Sequence, residues 1–87
     1  MAWAVEFTKD GEKQLTKLDR TAARRIVRAL EELAAAGRPR DTGKPLKGNL
    51  AEYWRYRVGS YRMLCMIDDV NMRIVVVEVG HRQSIYE

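Results

Sequence analysis

The stretch Glu52–Cys65, with the sequence EYWRYRVGSYRMLC, predicts a tight β-hairpin. Tyr53–Val58 and Tyr61–Ile67 have the composition of strands, and Gly59-Ser60 lies between them. A two-residue turn that begins with glycine suits a tight hairpin, because glycine adopts the backbone angles that such turns require. The two strands are therefore expected to pair in antiparallel fashion, which decides which residues of the hairpin face each other.

The hairpin concentrates positive charge and aromatic rings. Three arginines and four rings lie within Tyr53–Arg62, and no acidic residue lies inside that window. Alternation along the first strand places Arg55 and Arg57 on one face, and the turn places Arg57 opposite Arg62. Like charges directly opposed destabilise a sheet. Two interpretations stay open: an exposed basic face that pairs with acids elsewhere, or an arginine fork for phosphate with Tyr53 available to stack on a base.

The residues before the hairpin predict one strand and two helices. Trp3–Phe7 alternates in the manner of a strand, and Thr8 or Asp10 can cap a short helix. Asp19 is a good cap for a longer second helix, which ends at Gly37. Apolar residues recur along this second helix at helical spacing: Ala22, Ile26, Ala29, Leu30 and Leu33.

A loop and a last strand complete the domain. Residues 37–48 include both prolines of the chain and predict a loop. Asp68–Asn71 predicts a turn, and Met72–Val79 predicts a central strand because it is apolar on both faces. The order β-α-α-β-β-β predicts one α+β domain over residues 1–87, in which a helical hairpin packs on a twisted antiparallel sheet.

Composition limits the class of protein. The 87 residues suffice for one small domain, and their net charge of +4 favours an anionic partner such as nucleic acid. The single cysteine excludes an internal disulfide. One cysteine and one histidine give no metal-ligand spacing, so no metal or other cofactor is expected. Cys65 is expected to be a small buried hydrophobic residue. The chain has neither a signal-peptide pattern nor an apolar run of roughly 20 residues, which predicts a cytoplasmic protein without a membrane partner.

The C-terminal sequence VGHRQSIYE, residues 79–87, can bring reactive groups to the arginines. The antiparallel register carries His81, Arg82 and Tyr86 to the end of the sheet that lies nearest Arg57 and Arg62. Cleavage of a phosphodiester needs cations for the developing charge and titratable groups to move protons, and these residues supply both. His81 is either a proton donor or acceptor or a structural residue, and Tyr86 is equally compatible with C-terminal packing.

A second basic surface is predicted on the long helix and the loop. Arg20, Arg24 and Arg28 recur every four residues on the helix, and Lys44 and Lys47 follow in the loop. These charges either form a solvated face or form a second surface that binds RNA, in which case the binding is sensitive to salt.

The stretches LKGNLAEYWRYRVGSYRMLCMIDD (residues 46–69) and RIVVVEVGHRQSIYE (residues 73–87) resemble the RelE branch of the RelE/ParE toxin superfamily. The resemblance covers essentially the whole chain. It implies a toxin of a type II toxin–antitoxin pair that cuts mRNA in the ribosomal A site, without a metal, through attack of the ribose 2′-hydroxyl on the adjacent phosphate. The implied partners are a RelB-like antitoxin that wraps the toxin, mRNA, and the ribosomal RNA of the small subunit.

Residue by residue, the resemblance assigns charge stabilisation to the hairpin. The family's basic pair on the second strand falls on Arg55 and Arg57, and its phosphate-binding arginine falls on Arg62. The arginine after the last strand falls on Arg82 and the terminal tyrosine on Tyr86, with fewer residues between these two than in the family. Well-known members have lysines at the basic pair; arginine does not release its proton, so the pair here is suited to stabilising charge and not to acting as a base.

Two other functions stay open on this sequence. One is a DNA gyrase poison of the ParE kind with the same fold, and the other is a non-catalytic domain that binds RNA through the hairpin. The residues that favour the nuclease are those of the implied phosphodiester site: Arg57, Arg62, His81, Arg82 and Tyr86. Among them His81 is the best suited to act as a base, because neutral imidazole is available near pH 7.

Overall fold

The computed structural model describes residues 3–81, which form two helices packed on a five-stranded sheet. The helices are α1 (Lys9–Thr16) and α2 (Arg20–Ala36). The strands are β1 (Ala4–Phe7), β2 (Lys44–Pro45), β3 (Trp54–Val58), β4 (Tyr61–Asp68) and β5 (Arg73–His81), and a single 3-10 turn at Gly48–Leu50 precedes β3. The α+β class is confirmed, with one two-residue strand more than the sequence predicts.

The order of strands in the sheet is β1-β5-β4-β3-β2, so β5 lies between β1 and β4. This confirms the central position that its apolar residues predict. β4 pairs antiparallel with both β3 and β5, as expected, whereas β1 pairs parallel with β5 and makes the sheet mixed. The direction of β1 was not predictable from its residues, because the alternation of side chains is the same in parallel and antiparallel pairs.

The predicted loop at residues 37–48 contains the short edge strand β2, which pairs antiparallel with β3. Pro45 is compatible with this position, because an edge strand leaves one side without ladder hydrogen bonds. Leu46 follows β2; its backbone N–H donates to the carbonyl oxygen of Tyr53 at 3.2 Å, and its side chain is buried. The end of the loop is thus attached to the sheet by backbone pairing.

The caps of α2 are those that the sequence predicts. The side chain of Asp19 accepts a hydrogen bond from the N–H of Ala22, and Gly37 ends the helix in the left-handed conformation with φ of 71°. The helix buries one apolar stripe: Ala22, Ile26, Leu30 and Ala34. Ile26 and Leu30 have no exposed surface, and truncation of such a side chain to alanine costs about 2–5 kcal/mol.

The core fills the space between the helices and the sheet. It is one cluster of buried side chains from α2, β3, β4 and β5: Ile26, Leu30, Tyr56, Met63, Cys65, Ile74, Val76 and Val79. We call the face of the sheet that carries these residues and the helices the inner face. Residues that alternate with them along β3 and β4 lie on the outer face. In β5 a bulge between Val76 and Glu78 shifts the alternation by one residue, so that Val79 also lies on the inner face.

Helix α1 approaches the central strand closely at Gly11. Thr8 caps α1 by accepting a hydrogen bond from the Gly11 N–H at 3.1 Å, and the Thr8 hydroxyl donates to the Val76 carbonyl oxygen of β5 at 3.4 Å. A Cβ atom on Gly11 would lie 2.5 Å from that same Val76 oxygen. Glycine weakens the start of a helix by propensity, but here it allows the helix to contact the sheet.

A polar network holds the end of the sheet that is opposite to the β3–β4 turn. Arg73 on β5 donates to the Asp68 carboxylate at 2.7 Å and to Glu6 of β1 at 3.0 Å. Asn71 donates to the same Asp68 carboxylate from its side chain at 2.9 Å and from its backbone at 3.1 Å. The hydrogen bonds from Asn71 and Arg73 lower the pKa of Asp68 to about 2. The network therefore joins β1, β4 and β5 through one ionised carboxylate.

We expect Gly11→Ala to destabilise the domain, although the same change in an open helix stabilises it by about 1 kcal/mol. The added methyl group would collide with the Val76 carbonyl oxygen, and overpacking of this kind costs roughly 1–3 kcal/mol. Denaturant unfolding of the two proteins measures the difference. Lys13→Ala, at an exposed position of the same helix, is the control. A Gly11→Ala protein as stable as the parent would contradict the close approach.

We expect Asp68 to contribute stability at neutral pH that is lost in acid. Its pKa is depressed in the folded protein, so unfolding takes up a proton and the contribution disappears as the pH falls from about 4 to about 2. Asp68→Asn should therefore be less stable than the parent at pH 7 and should lose less stability over that acid range. Denaturant titrations across the range test this, with Glu31→Gln, an exposed carboxylate on α2, as the control. An Asp68→Asn protein whose stability falls as steeply as the parent's would refute the assignment.

Candidate nucleic-acid interface

The predicted hairpin is present with the predicted register. Strands β3 and β4 pair so that Val58 lies opposite Tyr61 and Arg57 lies opposite Arg62. Gly59 has a φ of 58°, in the left-handed region that favours glycine, and so permits the two-residue turn. The register is strongly specified, because a slip of one residue would move the apolar side chains of a strand to the other face.

Three arginines of the hairpin lie on the outer face. Arg55 and Arg57 alternate with the buried Tyr56 on β3, and Arg62 is the partner of Arg57 on β4. On β5 the residue opposite Arg62 is Gly80, which has no side chain. Arg62 therefore has Arg57 as its neighbour on one side and no side chain beside it on the other.

The three arginines differ in burial. Arg62 is 2% exposed and Arg55 is 9% exposed, whereas Arg57 is exposed. None of them is free, because each takes part in a polar, ionic or ring interaction. A buried guanidinium requires such interactions, since an uncompensated charge in the interior costs several kcal/mol. An exposed basic face, one of the two interpretations of the sequence, therefore applies to Arg57 and not to Arg55 and Arg62.

His81 is the last residue of β5 and lies opposite Tyr61. The two rings make an edge-to-face contact, with centroids 5.4 Å apart and planes at 71°. Tyr61 packs against the core cluster, so this ring pair belongs to the inner face. The prediction that His81 joins Arg57 and Arg62 in one patch is wrong as to the face, because Arg62 pairs with Gly80 and His81 is one residue further along. These groups share only the end of the sheet.

The other predicted contacts are partly accessible. Four predicted cations are exposed: Arg24 and Arg28 on α2, and Lys44 and Lys47 at the edge of the sheet. Tyr53 is half-buried just before β3. Arg82 and Tyr86 lie outside the described residues. The structure therefore places the exposed cations on two elements, the long helix and the β2 edge.

Arg25 of α2 lies next to the hairpin turn, a contact that sequence reasoning missed. A Cβ atom on Gly59 would lie 3.2 Å from the Nη2 atom of Arg25. The Arg25 side chain is otherwise exposed. The two residues are far apart in the sequence, and no local pattern signals their proximity.

The loop between α2 and β2 is held against β3 by two hydrogen bonds. Trp54 Nε1 donates to the carbonyl oxygen of Thr42 at 2.7 Å. The hydroxyl of the buried Tyr56 donates to the carbonyl oxygen of Pro39, and burial raises the pKa of that hydroxyl above its ordinary value. Trp54 and Tyr56 thus hold the loop against β3, and Tyr56 is also part of the core.

The same loop is tied to the β4–β5 turn by an ion pair. Arg40 donates two hydrogen bonds to the Asp69 carboxylate, at 2.9 and 2.8 Å, which raises the pKa of Arg40 and lowers that of Asp69. Between the loop, α2 and β3 lies a cleft of about 640 Å³. Its lining includes apolar side chains from both the helix and the sheet: Ala29, Leu33, Ala36, Tyr56, Val58 and Met63.

Cys65 is buried, as predicted, in surroundings that disfavour the reactive thiolate. It has no exposed surface, and burial raises the pKa of its thiol to about 12. Within residues 3–81, no three His, Cys, Asp or Glu side chains are grouped so that they could hold a metal ion. No helix of that described range is long and apolar enough to cross a membrane.

Comparisons with known proteins agree with this architecture. The family described as "ParE toxin of type II toxin-antitoxin system, parDE" matches residues 5–86. The chain is 37% identical to Toxin RelG of Mycobacterium tuberculosis, over 99% of this chain and 98% of that protein. It is 33% identical to Toxin RelE of the same organism, over 76% of this chain and 78% of that protein.

A solved structure extends the likeness to three dimensions. The toxin–antitoxin complex RelBE2 from Mycobacterium tuberculosis contains a chain that superposes with a TM-score of 0.85 and 32% sequence identity. The match covers 94% of this chain and 93% of that chain. The fold and the sequence thus point to the same group of proteins.

We expect the Cys65 thiol to resist alkylation in the folded protein. A thiol with a pKa of about 12 is almost entirely protonated near pH 8, and Cys65 has no accessible surface. Incubation with N-ethylmaleimide, followed by intact-mass measurement, should show no adduct under native conditions and one adduct in denaturant. Rapid alkylation of the native protein would mean that the strand opens at β4.

Proposed function

The chain belongs to the RelE/ParE superfamily of type II toxin–antitoxin toxins, and we propose that it is a ribosome-dependent endoribonuclease that cleaves mRNA in the ribosomal A site. The observation that supports this activity most strongly is the opposed pair Arg57 and Arg62 at the end of the hairpin. Opposed cations destabilise a sheet, whereas a phosphate matches the charge and the geometry of two guanidinium groups. The proposed site of action is the cytoplasm, where the ribosomes are.

The proposed reaction is an internal displacement at phosphorus. The ribose 2′-oxygen forms a bond to phosphorus, and the bond from phosphorus to the 5′-oxygen of the next nucleotide breaks. The products are a 2′,3′-cyclic phosphate and a 5′-hydroxyl end. The 2′-hydroxyl loses one proton and the leaving oxygen gains one, so the protons balance and no metal is required. Negative charge grows on the non-bridging oxygens, which guanidinium groups stabilise.

Arg62 is the proposed stabiliser of this charge, and Arg57 is the exposed group that meets the phosphate first. The near-complete burial of Arg62 supports a fixed guanidinium, which needs no reorganisation during the reaction. The same burial means that substrate reaches Arg62 only after its guanidinium is uncovered, so the proposal includes an uncovering step. Arg55, also buried on the outer face, adds a fixed positive charge beside them.

Proton transfer falls to groups other than the arginines, which do not release a proton near neutral pH. The position of His81 on the inner face argues against a proton transfer from His81 at a phosphate held by Arg62. We assign this work to Tyr86, the residue on which the family's terminal tyrosine falls, or to a group of the ribosome.

The exposed cations outside the hairpin are the proposed contacts with ribosomal RNA: Arg24, Arg28, Lys44 and Lys47. Tyr53, half-buried at the start of β3, is a candidate for stacking on a base. Contacts of this kind depend on charge and do not read sequence, so their loss should weaken ribosome binding and reduce its salt dependence.

Induced expression followed by mapping of mRNA 5′ ends tests the proposed activity. Cuts in phase with codons, absent when the induced protein carries Arg62→Ala, would support the ribosomal nuclease. Intact mRNA in cells that stop growing would overturn it. The Arg62→Ala protein must be present at the level of the parent for the comparison to hold.

A second candidate function is the poisoning of DNA gyrase. The observation that favours it is the family match, which is described as ParE toxin. A gyrase poison needs the fold and a binding surface but no phosphodiester site. Intact mRNA together with double-strand DNA breaks on induction would favour this function over the nuclease.

The proposed protein partner is an antitoxin of the RelB kind. The similar structure from Mycobacterium tuberculosis is a toxin–antitoxin complex, which supports such a partner here. The net charge of +4 favours a partner segment that is acidic or amphipathic. The apolar cleft between α2 and β3, which Lys44 and Arg57 also line, fits a segment with apolar residues on one side and carboxylates on the other.

We expect Arg62→Lys to lower single-turnover cleavage at least tenfold, a loss of about 1.4 kcal/mol of transition-state stabilisation. Lysine keeps the charge but cannot contact two phosphoryl oxygens at once with a rigid fork. Arg57→Lys is the matched control at the opposed, exposed position and should have a much smaller effect. Rapid mixing with ribosomes that carry a short mRNA measures both rates. Equal losses at the two positions would contradict the proposed division of roles.

We expect the association rate of toxin and antitoxin to fall steeply as salt is raised. The reason is that complementary charge speeds encounter more than it fixes the final affinity. Lys44→Gln combined with Lys47→Gln should flatten this dependence, whereas Lys13→Gln on α1 should change it little. Stopped-flow measurement at several salt concentrations gives the slopes, and a flat slope for the parent would contradict an acidic partner surface.

A further inference from the structure

Three side chains lie near the hairpin end, and we call them the tip patch: Arg25, Tyr61 and His81. The rings of Tyr61 and His81 are in edge-to-face contact at 5.4 Å. The Arg25 guanidinium lies beside the turn, since a Cβ atom on Gly59 would be 3.2 Å from its Nη2 atom. The patch thus combines two rings and one cation on a single tip.

Packing accounts for only part of the tip patch. Tyr61 is half-buried and packs against the core cluster, which explains its ring. His81 and Arg25 are exposed, so core packing does not explain them. Within residues 3–81, Arg25 makes no ion pair. An exposed ring next to a cation is the kind of group with which proteins bind unstacked bases of single-stranded RNA.

The rings of the tip patch lie next to Arg57 and Arg62, the proposed phosphate-binding residues, but on the opposite face of the sheet. Tyr61 and Arg62 are consecutive residues of β4, so their side chains point to opposite faces of the sheet. The two residues are separated by only about 3.4 Å along the strand. A single strand that crosses the hairpin end can therefore place a phosphate on the outer face and the adjoining base on the inner face. A base in a helical stack cannot do so, which fits a substrate whose bases are splayed apart.

We propose that the tip patch is a nucleobase-binding subsite, in which a base stacks on the ring of His81, supported by Tyr61, while Arg25 attracts the neighbouring phosphate. The proposal rests on the proposed function, because it assumes that the strand bound by the outer arginines is RNA. It gives His81 a role in binding and not in proton transfer. The subsite would add selectivity for the nucleotide next to the cut.

The test measures base-dependent binding without cleavage. The probe is an RNA trinucleotide with a 2′-deoxyribose at the attacking position and 2-aminopurine as the following base. Its partner probe lacks that base. Both are titrated against the full-length protein at one fixed salt concentration. Stacking on an aromatic side chain strengthens binding by at least about fivefold, so the probe with the base should bind that much more tightly than the abasic probe.

Substitutions at His81 separate stacking from proton transfer. His81→Ala should abolish the preference for the probe with the base, whereas His81→Phe should keep it because phenylalanine retains a ring. In the ribosomal assay His81→Phe should likewise cleave much faster than His81→Ala and should keep the pH profile of the parent. If His81→Phe were as inactive as His81→Ala, the imidazole would be needed for its proton and the proposal would fall.

The other two members of the patch have matched controls. Tyr61→Leu keeps apolar packing and should weaken the preference for the base. Arg25→Gln should weaken binding of both probes, whereas Arg20→Gln, which removes the same charge from the first turn of the same helix, should not. If Tyr61→Leu fails to fold, the comparison of His81→Ala with His81→Phe, at an exposed position, decides the test.

Failure of this proposal can be told apart from failure of the proposed function. A parent protein that cleaves mRNA on ribosomes but binds the two probes equally would overturn the subsite and leave the nuclease standing. A parent that prefers the probe with the base through His81 but never cleaves mRNA would support the subsite and overturn the nuclease.

Discussion

The register of the β3–β4 pair is the constraint on which the rest of this structure depends. The glycine-first turn places Arg57 opposite Arg62, and that single assignment sends Tyr56, Met63 and Cys65 to the inner face. The core cluster, the packing of α2 and the outer-face arginines all follow from it. A slip by one residue would put arginines into the core, so the apolar residues that stabilise the fold also hold the arginines in place.

The same register places two like charges opposite each other. Arg57 and Arg62 are opposed across the strands, which destabilises a sheet unless other groups compensate the charge, and each of the two takes part in a further interaction. In the polar network around Asp68, at the opposite end of the sheet, Arg73 contacts the carboxylates of both Asp68 and Glu6. The hairpin thus opposes like charges across its strands, whereas the far end brings opposite charges together.

Local features were predictable from the sequence, and features set by distant residues were not. The caps of α2 and the hairpin turn depend on a few neighbouring residues and are confirmed. The parallel pairing of β1 and the approach of α1 to β5 at Gly11 depend on residues more than sixty positions apart, which leave no local pattern. The face of His81 is different. It depends on a bulge in β5, where Cys65 pairs with Val76 but Leu64 pairs with Glu78, so that β5 has one extra residue. Simple alternation from Ile74 and Val76 would place His81 on the outer face, and no pattern in the sequence signals the bulge.

The placement of Tyr61 and His81 on the face opposite to Arg62 also bears on how one partner could control both candidate RNA contacts. The outer arginines and the tip patch lie on opposite faces but at the same end of β4, one residue apart. A partner that covers only one face would leave the other accessible, whereas a segment that crosses the hairpin end would block both. The apolar cleft reaches Arg57 and Val58, close to this end, and so offers such a segment an anchor. If the proposed function holds, control of the protein depends on covering the tip of the hairpin more than on covering either face of the sheet.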